Sequence, residues 1–250
     1  MSEQLRAVVT GASSGIGAAT VRALRDLDWA VVAVARREDR LRELANATGA
    51  SYVVADVTSD EDVARACAHV TGAGPLHALV NIAGVAVRAD RVDAGDVADW
   101  QQMYDVNVLG TLRMTRALLP ALRATGRGDV VLMGSTAGLV AYEGGAGYAA
   151  AKHGVHAVAG TLRLEEAEND IRVIEIAPGM VRTEEFSINR FEGDRDRADA
   201  VYAGVAEPLT ADDVAAAVVW TLTLPHHMNV DLMVLRPVAQ AAQHKVIRRP

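Results

Sequence analysis

Short runs of apolar residues alternate along this chain with longer stretches in which apolar positions recur at helical spacing. The apolar runs are continuous, and continuous runs are typical of parallel strands whose sheet is covered on both faces. The stretches between them are long enough to cross from one parallel strand to the next. The pattern predicts an α/β fold with a doubly wound, seven-stranded parallel sheet and helices on both faces. The predicted strands are residues 7–9, 30–34, 51–54, 76–80, 130–133, 173–176 and 232–235.

Two of the connecting stretches predict long helices, at about 96–123 and 147–168, and the first is long enough to bend. Between about 180 and 200 the helical period is lost and the residues become polar and charged. This segment is predicted to be a substrate loop over the strand ends, where ligands bind in open α/β sheets. No linker or repeat divides the sequence, so we expect residues 1–250 to form a single domain.

The composition limits the classes of partner and compartment. Half of the 250 residues are hydrophobic, enough for one substantial core, and the net charge of −7 gives no general attraction to nucleic acid or anionic membrane. A small neutral or anionic ligand stays open. A single cysteine, Cys67, excludes an internal disulfide, and no export signal or membrane-length apolar stretch is evident, so we expect a cytoplasmic protein. His153 with His156, and His226 with His227, lack a third ligand, so no metal site is predicted.

A glycine-rich turn, TGASSGIG at residues 10–17, follows the first predicted strand and begins a helix-compatible stretch. Gly11, Gly15 and Gly17 permit a tight turn and let the backbone approach a pyrophosphate at the helix N-terminus. The strand, turn, helix and second strand occupy about thirty residues, the length of a dinucleotide-binding unit. A Rossmann-type cofactor site is therefore predicted here.

Two arginines, Arg36 and Arg37, stand at the end of the second strand, where NAD-binding units carry an acid for the ribose 2′-hydroxyl. A phosphate on that hydroxyl needs cationic donors, and guanidinium binds phosphate through paired hydrogen bonds. The sequence thus predicts NADP(H) as the cofactor. Arg36 is the stronger candidate, whereas Arg37 is the more readily explained as a solvated charge.

A tyrosine and a lysine four residues apart, Tyr148 and Lys152, follow Ser135 in the sequence. On a helix the two side chains share one face. A phenol has an unperturbed pKa of about 10, and a nearby cation favours the phenolate, so we expect the pKa of Tyr148 to lie closer to neutrality. Alone, such a pair is more often a half-buried tyrosine beside a surface lysine, but here the cofactor motifs accompany it.

Further motifs appear in a fixed order, and together they resemble the short-chain dehydrogenase/reductase family over nearly the whole chain. One position departs from the family pattern, because Ile82 stands where a second asparagine is usual; we expect altered local strand bonding and an intact cofactor site. The resemblance is carried by TGASSGIG at 10–17, Asn81-Ile82-Ala83-Gly84, Asn107, Ser135, Tyr148, Lys152 and Pro178-Gly179.

The resemblance implies a role for each catalytic residue. Tyr148 would exchange a proton with the substrate oxygen as hydride passes between nicotinamide and the adjacent carbon, and Ser135 would hold that oxygen. Lys152 would bind the nicotinamide ribose and lower the pKa of Tyr148. Asn107 would hold a water between Lys152 and solvent, which completes a proton relay.

The resemblance also implies the contacts with NADP(H). They come from the glycine-rich turn, the two arginines, the ends of the third and fourth strands, the catalytic helix and the segment after the sixth strand. The implied contact residues are Gly11, Ser13, Ser14, Gly15, Ile16, Gly17, Arg36, Arg37, Asp56, Val57, Asn81, Ala83, Gly84, Tyr148, Lys152, Pro178, Gly179, Val181 and Thr183.

Within the family, the chain most resembles NADP-dependent dehydrogenases of 3-hydroxy acids and serine, at residues 134–138, 185–187 and 224–227. A carboxylate substrate needs a cation, and Arg182 and Arg190 in the charged loop are candidates that could equally be solvated. Tyr142 could line the pocket or anchor the loop. Glu143 could line the pocket or be an exposed acid, and an acid facing the pocket would count against an anionic substrate.

Two other functions stay open at this point. One is an NADPH-dependent reductase of a bulkier ketone or aldehyde in secondary metabolism, and the other is a non-catalytic NADP-sensing protein. The intact catalytic set argues against the sensor, since binding alone needs no proton relay. The resemblance implies a homotetramer, and the tail at about 236–250 is expected to be either an arm that reaches a neighbouring subunit or a disordered end.

Overall fold

The sheet is the framework of the molecule, which we describe from a computed structural model over residues 4–249. In that part of the chain seven strands form one parallel sheet in the order β3-β2-β1-β4-β5-β6-β7. Each predicted strand is present within two residues at either end, so the predicted sheet is confirmed. The strands are β1 (Arg6–Thr10), β2 (Ala30–Ala35), β3 (Ser51–Val54), β4 (Ala78–Asn81), β5 (Asp129–Met133), β6 (Arg172–Pro178) and β7 (Leu232–Leu235).

Helices cover both faces of this sheet. They are α1 (Gly15–Asp26), α2 (Glu38–Thr48), α3 (Asp60–Gly72), α4 (Val97–Tyr104), α5 (Gly110–Arg123), α6 (Ala146–Glu166), α7 (Phe186–Arg190), α8 (Arg195–Ala200) and α9 (Ala211–Thr223). One apolar core lies between the sheet and α3, α5 and α6, and a second lies between the sheet and α1, α2 and α9. Every residue of β5 and β6 is buried, and both strands are largely apolar, although Asp129 of β5 and Arg172 and Glu175 of β6 are charged. Among the described residues, no helix has the length and apolarity needed to span a membrane.

Both long helices are present, and the first is interrupted. Asp96 begins α4 by accepting a hydrogen bond from the backbone N–H of Ala98 at 2.8 Å. A π-helical turn, Asp105–Leu109, then joins α4 to α5. Such a turn changes the hydrogen-bond register inside a continuous helix and is frequent at functional sites.

The segment predicted as a loop at about 180–200 is more regular than expected. It contains the short helices α7 and α8, and the carboxylate of Asp194 caps α8 through the N–H of Arg197. Tyr202 ties the segment together, because its hydroxyl lies 2.8 Å from Ser187 Oγ and donates to the Val181 carbonyl. The polar sequence hid these helices because each is too short to repeat an apolar face.

The described part of the tail folds back on its own chain, so it is not a disordered end, and its role as an arm toward a neighbouring subunit stays a prediction. Gln240 is buried, and its Oε1 accepts a hydrogen bond from the N–H of Met180 at 2.9 Å. Gly179 allows this approach, since a Cβ there would lie 2.1 Å from that oxygen. Farther along, the N–H of Arg249 donates to the carbonyl of Gly204 at 2.7 Å. Residue 250 lies outside the described residues.

Candidate active site

The catalytic candidates meet at the carboxyl edge of the sheet, near the point where β1 separates β2 from β4. Ser135 follows β5, Tyr148 and Lys152 lie on α6, and Asn107 lies in the π turn. The Ser135 hydroxyl donates to the carbonyl of Pro178 at 3.4 Å and accepts from the N–H of Ala137 at 3.1 Å. The fold therefore brings together all four residues of the predicted catalytic set.

The pKa of Tyr148 differs in direction from the prediction. Burial is the largest influence and raises the pKa of the phenol above its ordinary value, with Tyr142 acting the same way. A hydrogen bond with Ser135 and the charge of Arg190 oppose the rise. Lys152 Nζ lies 5.8 Å from the centre of the Tyr148 ring. With the protein's own groups, desolvation outweighs the effects of Ser135 and Arg190 on the pKa of Tyr148, and the phenol holds its proton at neutral pH.

Lys152 is buried and anchored. Its Nζ donates to the carbonyl of Met133 at 2.8 Å. Burial lowers the pKa of Lys152 to about 8, while the negative charge of Glu175 acts in the opposite direction. A lysine with that pKa can change its charge within the working range of an enzyme.

Asn107 faces the same space as Lys152. Its Nδ2 donates to the carbonyls of Met103 and Val85 at 2.7 and 2.8 Å, whereas its buried Oδ1 has no partner among the described residues. A Cβ at Gly84 would lie 2.6 Å from that Oδ1 and 3.5 Å from Lys152 Nζ. Gly84 thus keeps open the gap between amide and ammonium, and an unmatched acceptor there suits a bridging water.

The glycine-rich turn has the geometry that its sequence predicted. Gly11 and Gly15 have positive φ angles of 66° and 51°, in the region that favours glycine. A Cβ at Gly17 would lie 2.2 Å from the carbonyl oxygen of Gly11. Ser14 precedes α1 without a capping side-chain bond, and the first turn of α1 carries no acid. The N-terminus of α1 is therefore available to an anion such as a pyrophosphate.

At the end of β4, backbone hydrogen bonds hold Ile82, the residue that departs from the family pattern. The backbone N–H groups of Ile82 and Ala83 both donate to Thr10 Oγ1, at 3.0 and 3.1 Å, so a β1 hydroxyl secures this bend. Asn81, predicted as a cofactor contact, instead donates its buried amide to Thr115 Oγ1 of α5 at 3.1 Å. Its Nδ2 is therefore held inside the protein, whereas its buried Oδ1 has no partner among the described residues, and a cofactor contact by Asn81 stays a prediction.

The two arginines at the end of β2 have different partners. Arg36 has a 67% exposed side chain and lies 3.8 Å from the carboxylate of Asp56. Arg37 forms a bidentate ion pair with Glu185, with both distances 2.8 Å, and also contacts Ser13 and Ser14. The interpretation of Arg37 as a solvated charge is wrong, and Arg36 is the freer of the two guanidinium groups.

Glu185 is a site residue that the sequence did not identify. A hydrogen bond from Arg37 holds the pKa of the Glu185 carboxyl below its usual range. The ion pair joins the segment after β6 to the end of β2, across the glycine-rich turn. The sequence signal for Glu185 was a carboxylate shortly after Thr183, in the segment after β6, together with the two arginines at the end of β2.

The remaining cofactor candidates divide into two groups. Thr183 lies against the turn, because a Cβ at Gly15 would be 3.4 Å from its Cγ2. Pro178 contacts Ser135 through its carbonyl, and Val181 is bridged to residue Leu209. The side chain of Val57, in contrast, is buried in the core against α5, and Ile16 is packed partly in the opposite core.

The substrate candidates do not all converge. Arg190 donates to the hydroxyl of Tyr142 at 3.1 Å and lines a pocket that also includes Tyr148. Arg182 lies elsewhere, with its guanidinium 4.9 Å from the centre of the Tyr202 ring. Glu143 is exposed. The prediction for Arg182 as a pocket residue is therefore not supported by its position, whereas Arg190 and Tyr142 are together beside the catalytic tyrosine.

The same pocket is lined by three acids that the sequence analysis did not identify, Asp90, Asp96 and Asp99, together with Arg88. Arg88 is paired with Asp99 at 3.5 Å and with Glu192 at 3.1 Å. The acids count against an anionic substrate, and Arg190 is the pocket cation that opposes them. Within residues 4–249, no group of three or more His, Cys, Asp or Glu side chains could hold a metal ion.

Comparison with known proteins agrees with this geometry. A family model described as short chain dehydrogenase matches residues 6–192. The chain belongs to the short-chain dehydrogenase/reductase family, a family of oxidoreductases, and the resemblance predicted from its motifs is confirmed.

Individual relatives cover nearly the full length. The chain is 50% identical over 245 residues to an uncharacterized oxidoreductase of Mycobacterium tuberculosis, covering 98% of this chain and 95% of that protein. It is 37% identical over 240 residues to sulfoacetaldehyde reductase 2 of Chromohalobacter salexigens, with 94% of each chain covered. It is 35% identical over 237 residues to the NADP-dependent 3-hydroxy acid dehydrogenase of Escherichia coli K12, covering 94% and 95%.

A solved structure matches the whole fold. The closed form of serine dehydrogenase complexed with NADP+ superposes with a TM-score of 0.90 at 33% identity, over 98% of this chain and all of that one. The likeness therefore includes the segments after β6 as well as the sheet.

Proposed function

We propose that this protein is an NADP(H)-dependent oxidoreductase that interconverts a small alcohol and the corresponding carbonyl compound. The preferred substrate carries an anionic group, as 3-hydroxy acids and serine do. The observation that carries the proposal is the convergence of Ser135, Tyr148 and Lys152, with Arg190 in the same pocket. The named activities of the relatives support the same class of substrate.

The cofactor site fits NADP(H) in three respects. The glycines leave a cradle at the N-terminus of α1, which suits the pyrophosphate. Arg36 offers a largely exposed guanidinium for the 2′-phosphate. Lys152 and the unmatched Oδ1 of Asn107 lie where the nicotinamide ribose and a water would complete their hydrogen bonds. When bound, the reduced cofactor supplies the hydride.

Tyr148 supplies the proton in the reducing direction. Its raised pKa keeps the phenol protonated, so it can donate to the carbonyl oxygen as negative charge develops there. Ser135 holds that oxygen by a second hydrogen bond, which stabilises the transition state more than the ground state. Lys152 then stabilises the phenolate that remains, and Asn107 with a water returns a proton from solvent.

Arg190 is the group that would hold an anionic part of the substrate, in a pocket that Asp90, Asp96 and Asp99 also line. Two of its N–H groups bond to the Arg88 carbonyl and the Tyr142 hydroxyl, which fixes the guanidinium plane. The remaining N–H groups are then oriented for a carboxylate or sulfonate. Arg88 is already paired with acids, so it adds little net positive charge.

Replacing Tyr148 with phenylalanine tests the mechanism. Tyr148→Phe is expected to lower kcat by roughly 10²–10⁴-fold, because the proton donor is lost while the ring remains. NADPH binding, followed by fluorescence titration, should be nearly unchanged. Tyr52→Phe is the matched control, since Tyr52 lies on β3 and lines neither the substrate pocket nor the groove on the long helices. Full activity in Tyr148→Phe would show that another group moves the proton.

A substrate panel tests the preferred class. Serine, 3-hydroxy acids, anionic aldehydes and bulky cyclic ketones are compared by NADPH absorbance. A higher kcat/KM for the small anionic compounds is expected, whereas a preference for bulky neutral ketones would favour a reductase of secondary metabolism. Turnover of none of them, with tight NADPH binding, would favour a sensor.

Assembly as a homotetramer in the cytoplasm remains part of the proposal. A groove on the long helices is lined by apolar side chains that include Trp100, Tyr104 and Leu109, which supports pairing at this face. Sedimentation equilibrium measures the state directly, and a monomer at working concentration would contradict the assembly.

A further inference from the structure

A second titratable pair lies behind the catalytic lysine. Glu175 of β6 has only 1% of its surface exposed, and its Oε2 lies 2.6 Å from Nδ1 of His156 on α6. Its other oxygen, Oε1, has no hydrogen-bond partner within the described residues. Burying a carboxylate that is only partly hydrogen-bonded costs free energy. A buried apolar residue would fill this place in β6 without that cost.

A glycine makes room for the carboxylate next to the lysine's anchor. A Cβ at Gly134 would lie 2.3 Å from Glu175 Oε1, so a larger residue would displace it. Gly134 directly follows Met133, whose carbonyl accepts the hydrogen bond from Lys152 Nζ. The carboxylate is therefore packed against the same stretch of backbone that holds the lysine.

Lys152 and His156 are one helical turn apart on α6, and both side chains reach the layer of β5 and β6. The charge of Glu175 acts on Lys152 and favours its ammonium form, against the effect of burial. Tyr148 lies on the same helix, and Asn107 in the π turn is uncharged. Arg190 of α7 and Tyr142 act on Tyr148. Glu175 is thus the carboxylate in the described chain whose field acts on the buried ammonium.

We propose that Glu175 is a positioning residue that keeps the Lys152 ammonium charged, and that His156 adjusts this effect from the surface of α6. The proposal rests on the role given above to Lys152. His156 has a 47% exposed side chain and lies 2.6 Å from the Glu175 carboxylate. A positive charge at position 156 would compensate the charge of Glu175, and Lys152 would then lose part of its counter-charge. The charge of the catalytic lysine is therefore coupled to a histidine outside the substrate pocket.

The composition makes this coupling directly measurable. The sequence contains 25 Lys and Arg residues, and among them only Lys152 and Lys245 are lysines. Protein labelled with carbon-13 at the lysine Cε gives two NMR signals, and Lys245→Arg identifies the signal of Lys152. Titration from about pH 6 to about pH 11 brackets both signals. The Lys152 inflection is expected near 8 in the unaltered protein.

Removing the carboxylate charge should move that inflection. Glu175→Gln is expected to lower it by about one pH unit, because an opposite charge close to the ammonium is lost. Glu175→Asp retains the charge and should restore most of the difference. Glu166→Gln is the matched control, since Glu166 is also buried, at 2% exposed. It lies on α6, the helix that carries Lys152, but is paired with Arg123. This control should leave the Lys152 inflection unchanged.

Variants at the half-exposed histidine decide the matter even if Glu175→Gln does not fold. His156→Arg places a permanent cation on Glu175 and should lower the Lys152 inflection. His156→Asn can donate the same hydrogen bond without a charge and should leave it at or above that of the unaltered protein. An unchanged inflection in His156→Arg overturns the proposal.

The titration needs no turnover, so it separates this inference from the proposed function. Where activity is present, the alkaline limb of kcat/KM is expected to move to lower pH in step with the inflection. Shifted inflections in a protein that turns over no alcohol or carbonyl would disprove the function and retain the coupling. Normal Tyr148-dependent turnover with a fixed inflection would disprove only the coupling.

Discussion

Arg190 offers the sharpest test of the substrate class, because its effect depends on the charge of the substrate. Arg190→Gln removes the cation and retains a polar side chain beside Tyr142. A 3-hydroxy acid and its methyl ester form a matched pair of substrates that differ in the charge of the carboxyl group. We expect the variant to lose activity mainly toward the acid.

The expected size follows from the geometry of the guanidinium. Its Nε bonds to the Arg88 carbonyl at 3.0 Å and one Nη bonds to Tyr142, so the other N–H groups remain for a carboxylate. A hydrogen bond to a charged group contributes about 1.5–3 kcal/mol, which corresponds to a loss of roughly 10–150-fold in kcat/KM. The ester should lose far less, since it forms only neutral contacts.

Two further variants separate charge from shape. Arg190→Lys keeps the charge without the planar fork and should fall between the unaltered protein and Arg190→Gln. Arg182→Gln is the matched control, because Arg182 stacks on Tyr202 away from the pocket. Initial rates at saturating NADP+, followed as the formation of NADPH, measure all four proteins. Equal losses toward acid and ester in Arg190→Gln would refute an anion site and indicate a general loss of pocket structure.

Three other results are expected. Arg36→Ala should weaken NADPH roughly 10–150-fold while NADH changes little, measured by fluorescence titration, and equal effects on both would contradict a 2′-phosphate contact. Gly84→Ala places a Cβ 2.6 Å from Asn107 Oδ1 and should lower kcat roughly 10²-fold. Gly160→Ala is the control and should leave kcat unchanged, because the space around its Cβ is open. Equal kcat values in the two variants would exclude the relay. Arg172→Met leaves a buried carboxylate of β5 unpaired and should cost about 3–5 kcal/mol of unfolding free energy in urea, so an unchanged midpoint would contradict it.

The sheet could be predicted from the sequence because its signal is local and repeated. Each buried strand is a short apolar run between longer segments, and a shift of one or two residues at its ends does not alter the order. The glycines of the first turn could be identified for a similar reason. Only a residue without a Cβ fits at position 17, beside the Gly11 carbonyl, so a glycine at this position indicates the close backbone contact.

What the sequence could not supply were the partners of charged side chains. Arg37 and Glu185 are far apart in the chain, and only the return of the segment after β6 brings them together. The sequence likewise identified Lys152 without Glu175, since a glutamate inside a buried strand has no motif. The pKa of Tyr148 was predicted with the wrong sign because burial, the larger influence, depends on packing that a motif does not describe.

The π turn at Asp105–Leu109 changes the rotation of α5 about the helix axis relative to α4. Each residue rotates an α-helix by about 100°, so deleting one residue from the turn would restore a regular helix only by rotating one half against the other. If α5 kept its place, the Asn107 amide would leave the Val85 carbonyl, which holds it from outside the helix. If Asn107 kept its place, Leu118 and Leu122 would rotate out of the core. The helix is irregular because the amide and the core require different rotations of one continuous backbone, and a one-residue offset satisfies both.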